Sequence, residues 1–134
     1  MADISRFLPA HPVGWPLLAA PDETGALSWP GLETSVRQAI RCILMTRKGE
    51  WLLARQSGAG LADYVHKPNT PAMRQLIREN VMREIMALES RIELDGIDVG
   101  EAGENGDEIA ISIAYRIKRT GSADVVAVSM KARG

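Results

Sequence analysis

The spacing of apolar positions changes character twice along this chain, and the changes divide it into an arm, a helical part and a sheet. Residues 1–31 show no period. Pro9, Pro12, Pro16, Pro21 and Pro30 fall there with Gly14, Gly25 and Gly31, and proline removes a backbone donor and fixes φ, so no regular helix runs through. The segment is nonetheless rich in large apolar residues: Phe7, Leu8, Trp15, Leu17, Leu18, Leu27 and Trp29. An extended arm with such anchors lies either on its own domain or on a neighbouring chain. From Leu32 the apolar residues Val36, Ala39, Ile40, Ile43 and Leu44 recur at spacings of three and four, the period of an amphipathic helix. That helix is expected to run towards Gly49, with Arg47 and Lys48 in its last turn suiting the helix dipole. Gly58-Ala59-Gly60 reads as a turn and 61–66 as a short helical turn. A second helix is predicted from Thr70 as N-cap and Pro71 as first residue to about Glu89. Its stripe is Met73, Leu76, Ile77, Val81, Ile85 and Leu88, with a Glu79–Arg83 pair on the outer side.

Beyond Glu89 the period becomes two. Ile92 and Leu94 alternate with charged residues, Asp95-Gly96 interrupts the run, and Ile97 and Val99 resume it. Residues 100–106 read as a polar, Gly-rich loop. Ile109, Ile111, Ile113, Tyr115 and Ile117 then share one face of a strand, opposite Glu108, Ala110, Ser112, Ala114, Arg116 and Lys118, which implies a sheet buried on one side. Thr120-Gly121-Ser122 reads as a hairpin connection to a last strand, 124–130, with Val126, Val128 and Met130 on one face. The expected fold is α+β: an extended N-terminal arm (1–31), then one domain (32–134) of two main helices and a three-stranded antiparallel sheet.

Composition narrows the function. A chain of 134 residues has room for one ordinary domain and needs no disulfide or metal staple. Its net charge of −1 argues against a general nucleic-acid binder and against a polybasic membrane-surface protein. A single cysteine, Cys42, excludes an intramolecular disulfide and fits a reducing compartment. With two histidines, His11 and His66, the chain lacks the Cys/His set of a structural zinc site. No apolar run reaches bilayer length, and the N-terminus, with Asp3 and Arg6, shows no signal-peptide core. No cofactor is expected.

No catalytic constellation stands out. Cys42 with His66 could form a thiol nucleophile pair, but a lone mid-helix cysteine is ordinarily a small buried hydrophobe. Glu79, Glu84 and Glu89 lie along a charged helix. The acidic residues around the loop between strands, Asp95, Asp98, Glu101, Glu104, Asp107 and Glu108, lack the alternating ligand order of a calcium loop. Gly58-Ala59-Gly60 lacks the Lys and Ser/Thr of a phosphate loop. Two features fit binding better. A small meander has two edges with unpaired backbone groups, and the last strand, Asp-Val-Val-Ala-Val-Ser-Met, is apolar and free of proline. At the helix-to-strand junction, Glu89-Ser90-Arg91 sets two opposite charges on a corner that fixes their direction.

In this order, the motifs resemble the phage baseplate assembly protein W family, the lysozyme-like baseplate wedge proteins. The family includes sheath initiators of contractile tails, extracellular contractile injection systems and the matching subunit of type VI secretion. Gly14-Trp15-Pro16 is similar to the family's opening arm, and residues 40–50 to its helix ending in Leu-x-Thr-x-x-Gly-Glu. Gly58-Ala59-Gly60-Leu61 resembles its Gly-Ser-Gly-Leu turn, and Pro68 the proline that follows. Glu89-Ser90-Arg91 takes the place of its Glu-Pro-Arg signature, and Ile113-Ala114-Tyr115 matches its Ile-x-Tyr strand. Ser90 departs from the signature proline, Ser57 stands where an aromatic is usual, and Arg55 is displaced by one position.

The resemblance implies a non-enzymatic baseplate wedge component. Glu89 and Arg91 would anchor it to the core bundle of the larger wedge subunits. Val125, Val126, Ala127, Val128, Ser129 and Met130, with Ile111, Ile113 and Tyr115 of the paired strand, would form a platform. There, arms of first-ring sheath subunits would add as β-strands and start sheath polymerisation. Trp15 and Trp29 of the arm would contact neighbouring baseplate proteins, including hub or tube-proximal ones. Several copies would surround a six-fold baseplate, in a virion tail assembled in the host cytoplasm or in a cytoplasmic injection system. A small peptidoglycan-degrading hydrolase is the alternative from another class, and a free-standing adaptor a third.

Overall fold

A computed structural model describes residues 21, 23–26 and 30–131 of the chain. Helix α1 (Leu32–Met45) starts after Gly31 without a side-chain cap and turns Val36, Ile40, Ile43 and Leu44 inward. It stops earlier than its sequence suggests. Thr46 takes an extended conformation, its backbone N–H and its hydroxyl both donating to Cys42 O at 2.9 and 2.7 Å. Arg47 and Lys48 therefore lie beyond the helix rather than in its last turn. Helix α2 (Pro71–Leu88) begins as expected: Thr70 Oγ1 accepts the Met73 N–H at 3.2 Å, and Pro71 occupies the first position.

The inner face of α2 differs from the predicted stripe. Leu76 is 51% exposed, whereas Asn80 and Glu84 are buried. The reason is backbone satisfaction. The segment between the helices packs its glycine turn against α2, and its polar groups need partners there. Asn80 Nδ2 donates to Ala59 O at 2.7 Å, and Glu84 Oε2 accepts the Gly58 N–H at 3.0 Å. The Glu79–Arg83 pair does not form. Gln75 takes Glu79 at 2.9 Å, and Arg83 Nη2 donates to Asn80 Oδ1 at 3.0 Å. Leu61–Tyr64 is a 3₁₀ turn.

Strands β1 (Ile92–Ala102), β2 (Glu108–Ile117) and β3 (Ala123–Lys131) form an antiparallel meander with β2 central. The predicted break at Asp95-Gly96 is a β-bulge within a continuous strand: Leu94 faces Tyr115 and Gly96 faces Ala114, leaving Asp95 as the extra residue. β1 also extends past Gly100 to Ala102, which shortens the loop to 103–107. The alternation in β2 holds. Ile109, Ile111, Ile113, Tyr115 and Ile117 are all essentially buried and form one core with α1 and α2. Each such side chain contributes roughly 1.5–3 kcal/mol on burial.

Candidate functional site

The phase of the β2–β3 ladder decides which backbone groups of β3 are free. Ile117 N–H donates to Ser122 O at 2.9 Å. In an antiparallel pair, hydrogen-bonded pairs alternate with non-bonded ones. With Tyr115 opposite Asp124 and Ile113 opposite Val126, the residues bonded to β2 are Asp124, Val126, Val128 and Met130. Ala123, Val125, Ala127 and Ser129 therefore turn their N–H and C=O groups to the open edge. The Val125 N–H is taken by Asp124 Oδ1 at 2.8 Å. No described residue pairs with the outward groups of Ala127 and Ser129. Val126 is buried, Val128 and Met130 are half-buried, and Val125 is 54% exposed on the opposite face.

β3 is held at its first residues by a three-residue clamp. Asp124 Oδ2 accepts from the Arg37 guanidinium of α1 and from Tyr115 OH, the latter at 3.2 Å. The hydrogen bond from Arg37 holds the Asp124 carboxyl below the usual carboxylate range, and Asp124 in turn raises Arg37. Burial, with the Asp124 charge beside it, pushes the Tyr115 phenol up. Tyr115, Ile111 and Ile113 all lie on the core side of the central strand, so they support β3 from beneath rather than lining the edge.

The β1 edge is different. The bulge at Asp95 interrupts it, and Glu93 and Asp98 put negative charge along it, while Asp95 and Glu101 are ion-paired with Arg116 at 3.7 Å and Arg74 at 2.8 Å. Such features blunt an edge against pairing.

At the corner between α2 and β1, Glu89 and Arg91 bind each other. Arg91 Nη2 donates to Glu89 Oε2 at 2.7 Å and Nε to Oε1 at 2.8 Å, with side chains only 16% and 5% exposed. Arg91 Nη1 also donates to Ser35 Oγ of α1 at 3.1 Å. The hydrogen bond to Glu89 raises the Arg91 pKa. The corner is thus a rigid joint of three elements. Beside it opens a depression of about 530 Å³ lined by Met82, Met86, Leu94, Ser90 and Lys118. Sequence reading missed Ser35 and the two methionines, although Met82 and Met86, four apart and off the main stripe, carry a visible signal.

Trp15 and Trp29 lie outside the described residues. Cys42 Sγ stands 3.8 Å from Thr46 Oγ1 at the end of α1. Among the described residues, no group of three His, Cys, Asp or Glu side chains could hold a metal ion. No described helix is long and apolar enough to cross a membrane.

Comparison with known proteins gives a consistent picture. Residues 31–122 match the profile of the family described as baseplate wedge protein gp25. No curated protein matches the chain. Among solved structures, a candidate tail lysozyme from Geobacter sulfurreducens superposes with a TM-score of 0.71 at 24% identity, covering 81% of this chain and 98% of that one. A chain of the anti-feeding prophage baseplate, a six-fold symmetrised assembly, superposes with a TM-score of 0.61 at 15% identity, covering 88% of this chain and 83% of that one.

Proposed function

The chain belongs to the baseplate wedge protein gp25 family, and on that premise we propose that it initiates sheath polymerisation by β-strand addition at the open edge of β3. Its place is structural, in the baseplate of a contractile tail or injection system, as the anti-feeding prophage relative also supports. The observation that carries the reading is the contrast between the two sheet edges. β1 is bulged and acidic, whereas β3 is regular, proline-free and offers the outward N–H and C=O groups of Ala127 and Ser129. Backbone pairing supplies affinity with little demand on the incoming sequence, and alternating side chains set its register. The accepted segment is an arm of a first-ring sheath subunit.

The Glu89–Arg91 corner is the proposed anchor to the wedge core bundle. Its charges are spent on each other and on Ser35. It would therefore act by fixing the shape of the joint and of the Met82–Met86 depression beside it, rather than by lending a free charge. The arm, with Trp15 and Trp29, would contact neighbouring baseplate proteins. Glycan hydrolysis is the less supported reading. It needs a carboxylic acid kept protonated opposite a second carboxylate. The two buried glutamates, Glu84 and Glu89, are instead engaged by the Gly58 N–H and by Arg91.

The test is proline at Ala127. Its N–H faces outward, so proline removes only the donor offered to a guest strand, the one placement an edge strand tolerates. Ala127→Pro should keep the parent's thermal midpoint within a few degrees and lower the rate of sheath nucleation on assembled baseplates about tenfold or more. Proline at Val126 or Val128 breaks the β2 ladder and serves as the unfolding control. Normal nucleation by folded Ala127→Pro would end the strand-addition reading.

A further inference from the structure

A second depression, of about 320 Å³, lies where the end of α1, the 3₁₀ turn and the outer flank of α2 meet. None of its lining residues belongs to the β3 edge or to the Glu89 corner. Three cations ring it, Lys48, Lys67 and Arg83, against one anion, Asp63, whose Oδ1 already stands 3.3 Å from Arg47 Nε. The chain as a whole carries a net charge of −1, so this positive excess is local.

The site is organised from beneath by Asn80, only 6% exposed. Its amide donates to Ala59 O and to Tyr64 OH at 2.7 and 3.2 Å, and its Oδ1 accepts Arg83 Nη2 at 3.0 Å. Arg83 Nε is a further 3.9 Å from Glu84 Oε1. The guanidinium is thus held at the rim in a set orientation. Lys67 Nζ stands 5.3 Å over the Tyr64 ring, and Lys48 has no ion-pair partner among the described residues. Leu76, 51% exposed although flanked by the buried stripe of α2, forms an apolar shelf in the same wall.

The geometry points to a docking site for an acidic peptide segment of a neighbouring protein, with carboxylates on either side of one apolar side chain. The carboxylates meet Lys48, Lys67 and Arg83, and the apolar side chain rests on Leu76. A nucleic-acid strand would need stacking surfaces, and the one ring here, Tyr64, is covered by Lys67. This assignment is independent of strand addition at β3.

The test is a titration of the ¹⁵N-labelled full chain with the blocked peptide Glu-Asp-Leu-Phe-Asp-Glu. Amide shifts should concentrate on residues 47–49, 59–67 and 76–83, with half-saturation on the order of 0.1–1 mM. The double substitution Lys67→Glu with Arg83→Glu should weaken binding about tenfold, and raised salt should act in the same direction. Leu76→Ser should weaken it a few-fold while leaving every charge in place. Ala127→Pro should bind as the parent does, so failure here is separable from failure at the edge. The proposal is overturned by the absence of localised shifts up to about 5 mM peptide. It is equally overturned by equal binding of Lys-Lys-Leu-Phe-Lys-Lys. It also fails if oligothymidylate or phosphatidylglycerol vesicles, and not the acidic peptide, move these amides.

Discussion

Arg91 closes a two-pronged ion pair on Glu89 across the turn from α2 into β1, with donor–acceptor distances of 2.8 and 2.7 Å. A third contact to Ser35 brings in the start of α1. Removing Arg91 would leave a carboxylate that is 5% exposed without its counter-charge. Arg91→Ala should therefore cost about 3 kcal/mol in urea unfolding. Arg91→Lys should recover only part of that, because an ammonium cannot make the planar two-pronged contact. A loss below about 1 kcal/mol would class the pair with screened surface bridges.

The residue between those charges can be tested by restoring the proline of the family signature. Glu89 has φ −118 and ψ 95, extended backbone outside the α region that a following proline disfavours and about 25° short of the ψ it prefers. Ser90 is exposed, and no described residue accepts its N–H. Ser90→Pro should raise stability by roughly 0.4–1 kcal/mol, chiefly by restricting the unfolded chain. A measured loss in the urea midpoint would show that φ at position 90 is incompatible with the ring.

Much of this architecture was legible because it is written in local periods. The alternation from Ile109 to Ile117 names the buried face of β2, and Thr70-Pro71 names the start of α2. What was not legible depends on distant partners. Asn80 and Glu84 look like outer-face residues until Gly58 and Ala59, some twenty residues earlier, bring backbone groups that need them. Asp95-Gly96 reads as a break because a bulge and a turn draw on the same residue types. The open groups of β3 sit at Ala127 and Ser129, whereas the apolar pattern draws attention to Val126 and Val128. The difference is the ladder phase, which the Ile117–Ser122 hydrogen bond establishes and which side-chain alternation alone does not reveal. The partners of Glu89 and Arg91 were half legible: their mutual pairing follows from sequence proximity, but Ser35 is fifty-six residues away from Arg91.

Gly58 is the glycine on which the link between the helices depends. Its φ is +111, and a Cβ there would collide with the Thr46 carbonyl at the end of α1. Its N–H is also the donor that satisfies buried Glu84. Gly58→Ala should cost about 2–4 kcal/mol, combining backbone strain with a forced shift of the turn. Gly49→Ala is the control: φ is +94 there too, but nothing lies within 4 Å of the added carbon. It should cost only about 1–2 kcal/mol. Equal losses at the two positions would show that the collision at Thr46 is relieved freely.

The clamp on β3 should give the protein a distinct acid limb. The Arg37 hydrogen bond depresses the Asp124 carboxyl, with further help from the Val125 N–H and Tyr115 OH. In the window between the folded and unfolded values, the unfolded chain binds more protons. The stabilisation is therefore complete above the unfolded value, near pH 4, and is lost as pH falls through the lower folded one. The Asp124 side chain is 27% exposed and Arg37 47%, so solvent and salt keep the effect small. Urea unfolding of the parent and of Asp124→Asn should show an advantage for the parent at pH 7 that shrinks below about pH 4. Arg37→Met should abolish the same difference. Because the clamp holds the first residues of the open edge, amide exchange at Val126 and Val128, whose N–H groups bond to β2, should quicken in both variants while the core of β2 stays protected. A parent advantage that persists unchanged to pH 2.5, or exchange that quickens equally across β2, would show that Asp124 does not secure this strand.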